Sequence, residues 1–323
     1  VSTNKFLADY INAPTKEANR KGFGIGLLKA GELDNRVVAL CADLTESTQM
    51  HLFKEKFENR FFEAGVAEQN LVTTGSGFAA MGKIPFISSY AAFSPGRNWE
   101  QIRTTVCLND VPVKIIGSHA GVSVGPDGAT HQMLEDIALM RSLPNMIVIA
   151  PADVVEAEKA TLEIARNNKP SYLRLAREPV TTIFNHDYEF EIGKAYVLKE
   201  GKDISILATG TMTYQGLMAA YLLSKEGIDA EVVHVPTIKP LDQQTILSSV
   251  KKTNLVLTIE EAQLAGGFGS AVSEFLSEHY PVKIKRMGIE DHFGESGQPD
   301  ELIKKYRLDY EHVMLNIHHL LGR

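Results

Sequence analysis

Short apolar runs rich in β-branched residues alternate along this chain with longer stretches of helical period. A strand that is apolar along its whole length must be covered on both faces, and a helix between two such strands returns the chain to the same end of the sheet. The pattern therefore predicts an α/β fold with mainly parallel sheets and crossover helices. Val37–Ala42, Ile84–Ser89, Val113–Gly117, Met146–Ala150 and Tyr172–Leu175 are the expected strands of a first unit. After Arg177 the alternation lapses into EPVTTIFNHDYEFEIG, which has neither period. It restarts with Ile204–Ala208, Glu231–Val235, Leu255–Ile259 and Val282–Met287, separated by helices beginning near Tyr214, Asp242 and Gly267. The expected organisation is a first domain over 1–183, a linker over 184–192 and a smaller α/β domain over 193–323. At roughly 100–200 residues per domain, the 323-residue length fits two.

Open parallel sheets bind ligands beyond the carboxyl ends of their strands. In the first domain those ends carry Asp43-Leu44-Thr45, the stretch Glu63 to Glu68, Tyr90 to Phe93, His119 to His131, and Arg177. The second domain offers the blander Thr209-Gly210, Pro236-Thr237 and Glu260-Glu261, so the site is expected mainly in the first. Lys and Arg number 33 against 40 Asp and Glu, a net charge of −7 without a basic stripe, which argues against a nucleic-acid binder. Cys41 and Cys107 sit in no CxxC or Cys/His spacing, so neither a zinc site nor a disulfide scaffold is expected, and no metal ligands are assigned. The polar opening VSTNKFLADYINAPTKEANRKG lacks an apolar signal core. No run approaches the ~18 apolar residues of a membrane span, so a cytoplasmic protein without membrane contact is expected.

Of three glycine clusters, two fail as phosphate loops. GFAAMGK (77–83) has Ile84 where a P-loop needs Ser or Thr, and its glycines fall in a helical pattern. GFGIG (22–26) lacks the third glycine of a dinucleotide fingerprint. GGFGS (266–270) could open a helix onto an anion, although close helix-to-sheet packing explains it as well.

Other segments carry more chemistry. RFFEAGVAEQN (60–70) reads as a short strand turning through Gly65 into a helix with Glu68 in its first turn. A first-turn glutamate suits the helix dipole, but the Gly/Ala-rich LVTTGSGFAAMG that follows favours a partly buried carboxylate. In SHAGVSVGPDGATHQ (118–132) a turn at Asp127-Gly128 and a helix cap at Thr130, with the helix starting near Gln132, account for part of the loop. They give no reason for His119 or His131, so a functional loop is favoured. FISSYAAFSPGRNWEQIR (86–103) sets Tyr90 and Phe93 on one side of a turn, as core or as a stacking platform for a planar ligand.

Together these segments resemble the carboxyl-terminal half of transketolases, enzymes that use thiamine diphosphate. The likeness covers nearly the whole chain: APTKEANRKG, CADLTEST, GVAEQN, the aromatic strand end, GPDGATHQMLEDIALMRSLPNMIVIAPAD and FGESGQPDELIKKY. It implies a pyrimidine-binding domain followed by the family's C-terminal domain. It assigns Glu68 to the cofactor's aminopyrimidine ring as the group that promotes its reactive tautomer, and Tyr90 and Phe93 to packing on that ring, with Asp43 at the edge of the cofactor site. It makes His119 and His131 catalytic, and with Asp127 they would bind the donor's hydroxyls and developing oxyanion. Arg177 matches a substrate-phosphate arginine, with Lys16 and Ser47 near further phosphate contacts.

Two departures bear on the acceptor: Lys16 stands where arginine is expected, and Ser94-Pro95-Gly96-Arg97 lacks a third aromatic residue. The family's diphosphate-binding half, with its GDG motif and metal ligands, is not among the 323 residues. The resemblance thus implies one subunit of a split transketolase of pentose phosphate metabolism, moving a two-carbon ketol unit from a ketose phosphate to an aldose. An N-terminal partner would hold the diphosphate with Mg2+ or Ca2+, in an α2β2 assembly. The rivals are the β subunit of a 2-oxoacid dehydrogenase E1 component, against which GPDGATHQ weighs, a 1-deoxyxylulose-5-phosphate synthase-like enzyme, whose usual form is one chain, and a non-catalytic scaffolding subunit.

Overall fold

The computed structural model describes residues 5–323. In chain order the elements are β1 (Lys16–Ala18), α1 (Asn19–Leu33), β2 (Val37–Cys41), α2 (His51–Lys56), β3 (Phe61–Glu63), α3 (Glu68–Ala80), β4 (Ile84–Tyr90), α4 (Trp99–Gln101, followed by a π-helical segment to Cys107), β5 (Lys114–Ser118), α5 (Asp136–Arg141), β6 (Ile147–Ile149), α6 (Val154–Arg166), β7 (Ser171–Arg174) and β8 (Pro179–Thr181). Then come β9 (Tyr196–Lys199), β10 (Ile204–Ala208), α7 (Met212–Lys225), β11 (Ala230–His234), β12 (Thr237–Lys239), α8 (Gln243–Thr253), β13 (Leu255–Gln263), α9 (Phe268–His279), β14 (Lys283–Ile289), α10 (Pro299–Lys305) and α11 (Tyr310–Leu321).

A seven-stranded sheet has the order β12-β6-β7-β5-β4-β2-β3, parallel except for β12. A five-stranded sheet runs β14-β13-β10-β11-β9, with only β9 antiparallel. Every residue of β2, β5, β10 and β11 is buried, as strands covered on both faces must be. The nine expected strands are present, with ends within two residues except β13, which continues to Gln263. β8 lies inside the stretch that has no clear period, and pairs with β1. β12 is the least local element: it follows β11 of the second sheet, yet adds to β6 at the edge of the first.

Residues 184–192 form no regular element, yet they are well packed. Phe184 and Tyr188 are buried and stacked at 3.8 Å between ring centroids. The Tyr188 hydroxyl donates to Glu156 of α6, whose carboxylate also meets His234 of β11 at 2.8 Å. The two sheets are therefore tied together through buried polar groups as well as through the chain.

Two glycine clusters find a packing reason. A Cβ on Gly22 would lie 2.0 Å from the Val154 carbonyl oxygen, and one on Gly26 would lie 2.7 Å from that of Glu158, so GFGIG lets α1 press against α6. At GGFGS the helix N-terminus does meet an anion, but an internal one. The Glu260 carboxylate accepts from the Phe268 and Gly269 N–H groups at 2.6 and 2.7 Å. Among the described residues no helix is long and apolar enough to cross a membrane.

Candidate active site

The carboxyl ends of β2, β4, β5 and β7 bring most of the expected residues together. Glu68 opens α3 and its side chain is 3% exposed. Its Oε2 accepts from Arg97 Nη1 at 2.7 Å, while its Oε1 has no partner among the described residues. Its backbone carbonyl accepts from Asn98 Nδ2 at 2.9 Å, and the buried Asn98 Oδ1 is left without a partner. Arg97 also lies over the Phe93 ring, 5.0 Å from its centroid, and so bridges the carboxylate and the aromatic strand end.

From Phe93 the contacts run on without a break. Tyr90 and Phe93 are near-parallel at 6.2 Å, Tyr90 stacks on His119 at 3.9 Å, and His131 presents its edge to Phe93 at 5.4 Å. Tyr90 and Phe93 are both only partly buried, so the pair forms a flat wall open on one side. His119 holds a left-handed backbone conformation, φ 57°, directly after β5. Such strain in a non-glycine residue persists only where the surroundings fix it.

Burial pushes the His119 imidazole down to about 3, helped by the positive charges of Arg20 and Arg177. Its Nδ1 is 2.9 Å from Ser118 Oγ, leaving Nε2 for a ligand. Because the folded value lies below the ordinary 6.5, the fold favours the neutral ring. That stability is present in full above pH 6.5 and is lost as pH falls toward about 3. The His119 ring resonances are therefore expected to stay constant between pH 5 and 8 in a proton-detected titration, and a midpoint near 6.5 would contradict this placement.

The loop after His119 is built differently from the expectation. Val122–Asp127 is a 3₁₀ segment, α5 starts only at Asp136, and Thr130 caps no helix. Its hydroxyl instead meets His131 Nδ1 at 2.8 Å. The loop is held by Gln132, whose buried Nε2 donates to the carbonyls of Val122, Gly125 and Glu295 at 3.1, 3.2 and 2.8 Å. Glu261, at the end of the second sheet, accepts from Ser123 N at 2.6 Å. The strand end that looks chemically bland in the sequence thus reaches across to shape the loop. Gln132→Ala is expected to remove the two N–H donors shared among these carbonyls, of which Gly125 keeps the Gly128 N–H, costing about 1–3 kcal/mol. Faster amide exchange across residues 121–128 would report this, and unchanged protection would contradict it.

Arg177 donates to the Val124 carbonyl at 2.7 Å and lies 3.6 Å from Asp127. Arg20, which the sequence alone does not single out, joins the remaining parts. Its Nε donates to the Arg177 carbonyl at 2.9 Å and its Nη1 to the Ser47 carbonyl at 2.5 Å. Two guanidinium groups therefore stand at the mouth beside neutral His119. Asp43 and Lys16 fall outside this chain of contacts. Asp43 is exposed, with its N–H donating to Glu63 Oε1 at 2.7 Å. Lys16 lines a cleft of about 120 Å³ whose walls include Glu178, Glu261 and Asp300. Arg20, Arg97 and Gln132 are the site-shaping residues that sequence reasoning passes over. Among the described residues, no group of three or more His, Cys, Asp or Glu side chains is arranged to hold a metal ion.

Comparison with known proteins gives two family matches in series: the transketolase pyrimidine-binding domain over residues 15–182 and the transketolase C-terminal domain over 193–313. The chain is 44% identical to a putative transketolase C-terminal section of Methanocaldococcus jannaschii, over 92% of this chain and 94% of that protein. It is 40% identical to the 6-deoxy-6-sulfo-D-fructose transketolase subunit SqwH of Clostridium sp., over 92% of each. Among solved structures, a split-gene transketolase described as an inactive β4 tetramer matches at a TM-score of 0.89 and 43% identity, covering 94% of this chain and 98% of that one.

Proposed function

The chain belongs to the transketolase family, and from that premise we propose that it is the C-terminal subunit of a split, thiamine diphosphate-dependent transketolase. The observation that carries the reading is the buried Glu68 carboxylate with one oxygen free, joined through Arg97 and Phe93 to the Tyr90–His119 stack. These residues fit the cofactor's pyrimidine end. Glu68 Oε1 is an acceptor on a buried side chain, Asn98, which donates to the Glu68 backbone carbonyl, has its Oδ1 orphaned, and Tyr90 and Phe93 form a flat wall. When bound, thiamine diphosphate supplies the acidic carbon and the electron sink for breaking and making the two-carbon bond.

The chain's own groups position and solvate. Glu68 would hold the cofactor's pyrimidine end through its open Oε1, the atom at which it could give or take a proton. His119, kept neutral, donates from Nε2 to a substrate oxygen on which negative charge develops. The nearby Arg20 and Arg177 guanidinium groups favour that charge without transferring a proton. His131 and Asp127 take donor hydroxyls, and Arg177 with Arg20 takes the phosphate of a sugar phosphate as a bidentate fork. Ser47, whose carbonyl orients Arg20, and Lys16 lie toward the outer end of the same substrate, while Asp43 stands at the edge of the cofactor site.

The diphosphate and its divalent metal, Mg2+ or Ca2+, belong to an N-terminal partner, and two copies of each chain form an α2β2 complex of pentose phosphate metabolism in the cytoplasm. Two relatives with closely matching lengths are named as a C-terminal section and a subunit, which supports partner dependence. The test is a pull-down of the tagged chain from its native lysate. A partner with a GDG motif and a downstream asparagine is expected. A lipoyl-bearing acyltransferase alongside it would replace this reading with the 2-oxoacid dehydrogenase one.

A further inference from the structure

The second sheet's unit contains a cavity that none of this chemistry uses. It has a volume of about 230 Å³ and is lined by β14 and the residues just after it, the end of α10 with the turn that follows, and Asn316 of α11. Its walls carry Lys285, Arg286, Lys305 and Arg307 against a single carboxylate, Glu290, in a chain whose net charge is −7. A cluster of cations in an acidic protein raises a local positive potential, and that sign selects an anion. Two of the four are already engaged. Arg286 donates to the Leu264 carbonyl at 3.0 Å and to Ser270 Oγ at 2.9 Å, and Lys305 pairs with Glu295. The Lys285 amine and the Arg307 guanidinium have neither a hydrogen bond nor an ion pair among the described residues. His292 and Tyr306 supply a ring wall, with centroids 5.1 Å apart.

The backbone at Arg307 makes the choice of residue notable. The chain leaves α10 there with φ 58°, and the Arg307 and Leu308 N–H groups bond back to the carbonyls of Lys304 and Ile303. Glycine fills such a left-handed helix-end position without strain, whereas a side chain adds a cost. The dipole at the end of α10 favours a cation there, and the Arg307 guanidinium, which lines the cavity without a partner of its own among the described residues, is also placed to meet a ligand.

We propose that this cavity binds a small phosphate dianion, free or as a compact monoester, between Lys285 and Arg307. The guanidinium fork matches two phosphate oxygens and the ammonium serves a third as a point charge. None of these residues enters the ketol-transfer chemistry, so the two readings fail separately.

The test is equilibrium titration of the full chain with inorganic phosphate at constant ionic strength, in an Arg177→Ala background that removes the other expected phosphate site. Saturable uptake is expected, weakened at least about tenfold by Lys285→Met and by Arg307→Gly. The Arg307→Gly chain should be no less stable to heat, which a purely structural role for the guanidinium would not allow. Phenyl phosphate separates the sources: tighter binding than inorganic phosphate identifies a monoester lying against the ring wall, and equal or weaker binding identifies free phosphate. Absence of saturable uptake, or uptake indifferent to both substitutions, would overturn the proposal.

Discussion

Glu68→Gln is expected to lower ketol transfer by the assembled complex by about 10²–10⁴-fold, the usual worth of a positioned acid–base group. The amide has the size and shape of the carboxylate, so α3 and the Asn98 contact to the Glu68 backbone should persist. What disappears is the ability of Oε1 to take and return a proton. The Arg97 pair also loses its charge, but Arg97 is half exposed, so the stability change should be small. Steady-state assays of the wild-type and variant complexes, at matched assembly checked by sedimentation, read this directly. A variant with full activity would revive the scaffolding alternative, because no route to proton transfer would then require this side chain.

The largest effect on stability is expected at Asp136. Its side chain is fully buried, and one oxygen, Oδ2, accepts from Tyr172 Oη at 2.7 Å and from Arg174 Nε at 2.8 Å. Arg174 reaches on to the Glu261 carbonyl at 2.7 Å, so the cluster joins β7 of the first sheet to β13 of the second. Burial alone would pull the Arg174 guanidinium down, yet the charges of Asp136 and Glu261 outweigh it and its affinity for the proton is raised. Asp136→Asn removes the carboxylate that pairs directly with the guanidinium and leaves the buried cation only the Glu261 carbonyl and the Glu261 charge. Breaking a buried pair in this way costs about 3–5 kcal/mol. Urea unfolding should show the midpoint falling at an unchanged slope. A loss under about 1 kcal/mol would mean that the guanidinium finds water or another carboxylate, as an exposed pair would allow.

The strands legible in the sequence are those whose two faces are both covered, because burial imposes a continuous apolar run such as VVALC in β2. β8, β9 and β12 are short and sit at sheet edges, so their pairing is decided by the rest of the fold and leaves little local trace. The site divides along the same line. Glu68, Tyr90, His119 and Arg177 are visible because they sit at or just beyond strand and helix ends, where an open α/β sheet binds its ligands. Gln132 and Arg97 act through partners 163 and 29 positions away, and no window of sequence contains both ends of such a contact. Arg20 lies four residues from Lys16 in the same quoted segment. Only the fold reveals that it is Arg20 that turns toward Ser47 and Arg177.

In the proposed complex this chain holds half of a cofactor site. The most direct measurement is ketol transfer from a ketose phosphate to an aldose, with thiamine diphosphate and Mg2+ present, by this chain alone, by a diphosphate-binding N-terminal transketolase section alone, and by the two mixed. Activity is expected in the mixture only, saturating at equal amounts of the two chains. Transfer by this chain alone, or a stable mixed complex that remains inactive, would contradict it.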